Sequence, residues 1–396
     1  ENQSTNTCDS VYWRYIENMT LSTFTCFIIF FSIYLYLCRY FRFRRLKSIL
    51  SKYEHVQLDY RTAQDIVVQS SIFEMPYTIT TALSFALFRT YGIPTIARLL
   101  AQTNQLVHLD TAGRRAEDTG VILGEFFYHE LDSDRGRMGL ARMNYLHGLY
   151  GNRISNDDML YTLSLFILEP IRWIKKYEWR SLVPIEEEAR FVYYKEIGIR
   201  MGITSIPSTL IELENWTNSY EEKHMIFSKD NQICGEATLQ LMILLFPKSM
   251  SRIVRKAYLS FVDERLRLAM GFEQAPDRMK YFINLVMNIR ALLLRHCMLP
   301  RIYPSDFGQG PSSCPLNEYG RYQRTKYVFE PWYVKETWWN QLFSSNDHKP
   351  GPKYRSHGFK IEEVGPENFL GKGVEIMEKD VEKMKNRTIE STENSS

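Results

Sequence analysis

The chain has no CxxC pair, no CxxCH, no GxGxxG and no GxxxxGK[ST]. Its six cysteines, at 8, 26, 38, 234, 297 and 314, are scattered. That scatter excludes a disulfide framework and a structural zinc cluster, and it fits a reducing compartment around the main body. The missing motifs exclude covalent c-type haem attachment, a dinucleotide fingerprint and a P-loop. No GxSxG elbow supports a serine hydrolase. Charge of one sign is also scarce: the formal net charge is +3, and no basic patch interleaves with aromatics, so nucleic acid is not an expected partner. Strand-like alternation is rare and there is no internal repeat.

Aromatic residues, by contrast, are abundant, at 14% of the chain. One long uncharged run stands out, LSTFTCFIIFFSIYLYLC at 21–38. As a helix it would span roughly 27 Å, close to the hydrocarbon thickness of a bilayer. Arg39, Arg42, Arg44, Arg45 and Lys47 follow it, whereas Glu1, Asp9 and Glu17 precede it. The positive-inside rule then places 1–20 as a short lumenal segment and the body in the cytosol. A cleaved signal peptide would carry its basic residues before the apolar run, not after it. The expectation is a single-pass anchor at 21–38 and a basic juxtamembrane linker at 39–58.

Beyond the anchor, apolar residues recur at helical spacing. Helices are predicted at 60–68, 77–87, a short one after Pro94 running to Leu100, about 114–130, 138–150, 159–177, 186–201, 210–224, about 235–246, 249–270 and 276–299. Ser155-Asn-Asp-Asp158 reads as an N-terminal cap, and Pro170 should kink the helix behind it. Residues 300–366 are rich in Pro, Gly, Trp and Tyr and read as an ordered aromatic cap. The last stretch, 376–396, is polar and charged, and disorder is expected there. One all-α domain over 59–375 is the economical reading.

Three polar anomalies carry the chemistry. In RRAEDTGVIL (114–123), Arg115, Asp118 and Thr119 share a helical face with Ile122, Leu123 and Phe126. A satisfied buried salt bridge would explain them without function. His147 in ARMNYLHGLYG lies on one face with Leu140 and Met143. It is either a hydrogen-bonded core residue or a ligand, and its helix follows the first across a tight turn, so both sets could face one interior. Arg89 in FALFRTYGIP sits inside an apolar run and needs an anionic partner, either a haem propionate or an acid from another helix. Glu221-x-x-His224 lacks the second copy that a di-iron bundle requires.

The stretches ALFRTYGIPTI (86–96), RRAEDTGVILGE (114–125), YLHGLY (145–150), LYTLSLF (160–166), EWRSL (178–182) and GFKIEEVGPENFLGKG (358–373) resemble the ER-bound oxygenases of fungal mycophenolic acid biosynthesis. The resemblance covers about 59–375 and includes the anchor. Over about 110–200 the chain also resembles the bacterial latex-clearing rubber oxygenases. These resemblances imply a globin-like, all-α haem b domain behind a single N-terminal transmembrane helix, bound to the endoplasmic reticulum. They imply His147 as the iron ligand and Arg115, Asp118 and Thr119 as the distal catalytic group. Arg115 and Arg89 become candidate contacts to the haem. Aspartate stands at 118 where the rubber oxygenases carry lysine. The implied activity is O2-dependent cleavage of a carbon–carbon double bond in the isoprenoid side chain of a prenylated small molecule, in secondary metabolism. The rival readings are a cofactor-free, membrane-anchored isoprenoid or lipid carrier and a metal-dependent hydrolase. The sequence names neither the substrate nor an electron donor.

Overall fold

The uncharged run is the second half of a longer helix in the computed structural model, which describes residues 5–53, 56–305, 316–343 and 349–393. Helix α1 (Thr5–Arg42) is followed after one residue by α2 (Arg44–Tyr53), so the basic segment is helical rather than a loose linker. From Thr23 onward the helix is long and apolar enough to cross a membrane, and its Phe and Ile side chains are exposed. The described residues hold one such helix.

The body is all-helical. In order come α3 (Tyr60–Val68), a π-helical turn (Gln69–Glu74), α4 (Pro76–Thr90), α5 (Pro94–Gln102), α6 (Leu109–Tyr128) and α7 (Asp134–Gly148). Then follow α8 (Asn156–Tyr177), α9 (Pro184–Arg200), α10 (Leu210–His224), α11 (Lys229–Ile243), α12 (Ser251–Leu259), α13 (Glu264–Met270), α14 (Asp277–His296), α15 (Trp338–Phe343) and α16 (Val374–Glu393). The starts follow local chemistry. Ser133 and Ser155 accept hydrogen bonds from the backbone N–H of Gly136 and Asp158, capping α7 and α8, and Pro opens α4, α5 and α9. Helix α8 runs unbroken through Pro170. The helix expected over 249–270 is two, because the Asp263 carboxylate caps Leu266 N and starts α13 afresh.

The main core joins α3, α6, α7, α8 and α9 and extends to Trp332, Tyr333, Phe359 and Val364. The aromatic-rich segment therefore packs into the body, and isolated bridges such as Tyr322 to Phe359 tie the segment to itself. Residues 306–315 and 344–348 of that segment, and 394–396 of the C-terminus, lie outside the described residues. A second core gathers Phe85, Phe88, Trp173, Tyr220 and Phe272 from α4, α8, α10 and the chain after α13.

The disorder expected at 376–396 gives way, over the described residues 376–393, to a helix. Helix α16 packs on α7, burying Met377 and Met384. Arg387 reaches Glu196 at 3.2 Å, and the Thr388 hydroxyl donates to Asp132 at 3.0 Å. Three of its apolar residues, at 377, 381 and 384, recur at spacings of four and three and form one stripe. Such a stripe suffices when a neighbour covers it.

Candidate functional site

Helices α6 and α7 form a hairpin whose close approach is set by glycine. A Cβ at Gly139 would stand 2.6 Å from the Glu125 Cβ, so only glycine allows this contact. With 125 opposite 139, eight residues back along α6 and eight forward along α7 bring position 117 level with His147, and the Arg115 charge is felt at the imidazole. The C-terminal segment then clamps α7. The guanidinium of the fully buried Arg142 donates to the carbonyls of Val364 (2.8 Å), Phe369 (2.8 Å) and Lys372 (2.9 Å). Gly373, at φ +81°, turns the chain into α16, and a Cβ there would fall 2.1 Å from the Tyr145 ring. The motif GFKIEEVGPENFLGKG is thus a strap across the helix that carries His147.

His147 is half-buried, and the two residues after it, Gly148 and Leu149, are exposed. Its Nδ1 is buried without a hydrogen-bond partner. Burial first, and the Arg115 charge second, push its pKa down to about 4, so the imidazole is neutral at physiological pH. A core histidine held for packing alone would ordinarily satisfy such a nitrogen.

Arg115 is half-buried and has no carboxylate partner among the described residues. Its field also reaches Tyr91 and Cys234, both pushed up to about 12, chiefly by burial. The Tyr91, Cys234 and His147 side chains that feel the Arg115 charge are neutral near pH 7, and Arg115 makes no ion pair among the described residues. Thr119 sits one turn along, its hydroxyl donating to the Arg115 carbonyl at 2.8 Å.

The structure separates Asp118 from this pair. Its carboxylate accepts from the Tyr333 hydroxyl at 2.6 Å and lies 3.6 Å from Arg114 Nε. The partner of Asp118 is thus Arg114, four residues earlier, and not Arg115. Arg114 also covers the Trp332 ring and bonds Glu367 at 2.6 Å. Burial pushes the Asp118 carboxyl up to about 6, against the lowering effect of Tyr333 and Arg114. Glu117, fully buried beside it, takes Arg324 and the backbone N–H groups of Val328 and Phe329, both at 2.7 Å. One edge of α6 therefore binds the aromatic segment, while Arg115, outside that network, exerts its charge on His147.

Arg89 belongs to a different place. Its guanidinium makes a fork with Glu221 at 2.6 Å on both arms and bonds Asp263 with its third nitrogen. Tyr161 donates to the same Glu221 at 2.9 Å. The anion that Arg89 needs is an acid of the protein, the second of the two alternatives open in the sequence. That answer takes Arg89 off the candidate haem contacts, since its donors are already occupied. The network borders an open cleft of about 560 Å³ lined by Glu169, Arg172, Trp173 and Tyr177.

Sequence reasoning missed Arg114, Tyr333 and Arg142. The 114/118 spacing of four was a readable signal for the first. Tyr333 is more than two hundred residues away from Asp118 along the chain, and nothing local announces it.

No family model matches the chain. Over 329 residues it is 32% identical to the ER-bound oxygenase mpaB' of Penicillium brevicompactum, covering 76% of each chain. It is 32% identical over 249 residues to the ER-bound oxygenase mpaB of Penicillium roqueforti (strain FM164), covering 58% of this chain and 84% of that one. To mpaB of Penicillium brevicompactum it is 28% identical over 347 residues, covering 83% and 81%. With an all-helical body, one candidate membrane helix near the N-terminus and this extent of identity, the chain belongs to the mpaB-type family of ER-bound fungal oxygenases.

Proposed function

We propose that this protein is a haem b-dependent oxygenase, anchored in the endoplasmic reticulum membrane with its helical body in the cytosol. We further propose that it cleaves a carbon–carbon double bond in a prenyl side chain. The observation that carries the reading is His147: a half-buried, neutral imidazole whose Nδ1 is buried and unpartnered, near an arginine with no ion pair among the described residues. Those features fit a haem. A neutral imidazole is a standard axial donor, and a guanidinium without an ion pair suits a propionate or an oxygen atom at the site. The metal-hydrolase alternative has less support, because no three His, Cys, Asp or Glu side chains converge among the described residues.

When bound, the haem would supply the O2 chemistry. The chain's own work is positional and electrostatic. His147 would hold the iron, on a helix fixed by the Arg142 clamp. Arg115 supplies positive charge, and Thr119 lies one turn along the same edge. The Tyr333 hydroxyl donates to the Asp118 carboxylate at the seam between α6 and the aromatic segment and ties the two together. A prenyl chain partitions into lipid, and the anchor keeps the enzyme at the membrane where such a chain resides.

The test is the absorption spectrum of the purified full-length protein. A Soret band is expected, lost or strongly shifted in His147→Ala, with iron found by elemental analysis. A folded, haem-reconstituted sample with no Soret band would overturn the haem assignment and favour a cofactor-free isoprenoid carrier. Incubation with a farnesylated aromatic and product analysis tests the cleavage separately; intact substrate after turnover conditions would refute it.

A further inference from the structure

Helix α14 is patterned the wrong way round for a surface helix in water. Its body side holds Ile283, Met287 and Leu294, packed on the cores, and Arg290, bonded to Glu178 at 2.9 Å. On the other side Tyr281, Leu285, Ile289, Leu292 and Leu293 are all exposed. The chain after it stays apolar and open, with Met298, Leu299, Ile302 and Tyr303 exposed, the last two more than four-fifths so at 82% and 81%. Soluble proteins rarely leave so continuous an apolar stripe uncovered.

Three observations say what covers it. First, the stripe is continuous with the membrane helix. Helix α14 packs against α1, the Tyr34 hydroxyl donates to the Cys297 carbonyl at 2.9 Å, and Arg42 donates to the carbonyls of Met298 and Leu299. Tyr34 lies within the uncharged run, so residues 297–299 lie at the level of its last turns, where hydrocarbon meets headgroups. Second, α12 packs on α14 and brings a further exposed set, Phe246, Met250 and Ile253, to the same region. Third, the charges are of one sign. No Asp or Glu occurs between Asp277 and Asp306 or between Glu236 and Asp263. Lys248, Arg252, Arg295 and Arg301 lie within those intervals, and Arg39, Arg44 and Arg45 lie near the body end of α1. Apolar side chains fringed with cations and free of acids suit an anionic leaflet.

We propose that α14, the segment 298–303 and the segment 246–253 form a second, non-spanning membrane surface. It is embedded in the leaflet on the body's side and fixes the body's orientation on the bilayer. The anchor alone would tether the body; this surface lays it down. The proposal rests on α1 spanning the membrane and not on the haem assignment.

The full-length protein, reconstituted into phosphatidylcholine–phosphatidylserine vesicles, tests it with a photo-crosslinking phenylalanine analogue placed singly at Leu285, Ile289 or Leu292. Phe30 in α1 serves as the positive control and Ile211, exposed on α10, as the negative one. The expected result is lipid adducts at the α14 positions at yields comparable to Phe30 and severalfold above Ile211. Lipid adducts at Phe30 alone would overturn the proposal while leaving the anchor intact. Adducts to a second protein chain at the α14 positions would overturn it in favour of self-association. Failure at Phe30 as well would refute the anchor and the proposal with it.

Discussion

Arg89 and Arg115 both interrupt apolar helical faces, and the fold treats them in opposite ways. Every donor arm of Arg89 meets a carboxylate, with Glu221 gripping two nitrogens and Asp263 the third. Arg115 has no ion pair among the described residues, and a neutral imidazole is the notable group in its field. A cation that folding has fully compensated is structural. One left without an ion pair is available to something the chain does not itself supply. The difference lies in the neighbours and not in the arginines, and it separates the cleft beside Glu221 from the site beside His147.

The sharpest way to break the comparison is to remove each cation in turn. Arg89→Met leaves Glu221 buried with Tyr161 as a remaining partner, so it should cost about 3–5 kcal/mol in denaturant or thermal unfolding. Once folded, it should still bind haem. Arg115→Met breaks no ion pair, and its stability should stay within about 1 kcal/mol of the parent. Its turnover should fall by about 100-fold, as for loss of a single preorganised donor, and the His147 pKa, read by NMR of the haem-free protein, should move up from about 4. If Arg115→Met proved the more destabilising of the two, the distinction would collapse.

Titration sharpens it further. His147 is held low, at about 4, so in the haem-free protein the stability it contributes is present above the ordinary histidine range and is lost as pH falls from about 6.5 towards 4. Asp118 is held high, at about 6, so its contribution is present below the ordinary aspartate range and is lost as pH rises from about 4 towards 6. Each contribution amounts to about 3 kcal/mol and they oppose one another, so the parent should show a nearly flat stability between those limits. Asp118→Asn should expose the histidine slope, with stability rising with pH, and His147→Ala the aspartate slope, with stability falling. Two variants with parallel profiles would show that these groups do not titrate as described. Thr119→Ala should be the smallest perturbation of stability, within ~0.5 kcal/mol, because its hydroxyl bonds only its own helix. Any turnover defect it shows would then report on the site rather than on folding.

Much of the fold was legible because helix formation is local. Caps at Ser133 and Ser155, prolines at helix starts and the 3.6-residue spacing fall within a turn or two of the residues they govern. Helix α16 escaped notice because its three-residue stripe counts for little until α7 lies beside it. The break between α12 and α13 escaped because one aspartate cap was read as part of a continuous apolar pattern.

By itself the sequence determined the helical class, the uncharged run with its basic flank, and the oddity of polar residues at 89, 115, 118 and 147. These depend on composition and on neighbours a few positions away. Only the tertiary structure decided which cation was already paired and which was not. Burial and ion pairing depend on groups such as Glu221 and Tyr333, which lie 132 residues from Arg89 and 215 from Asp118. The sequence placed three polar groups on one face of α6. Packing against α7 on one side and the aromatic segment on the other sent Asp118 to Tyr333 and left Arg115 to His147.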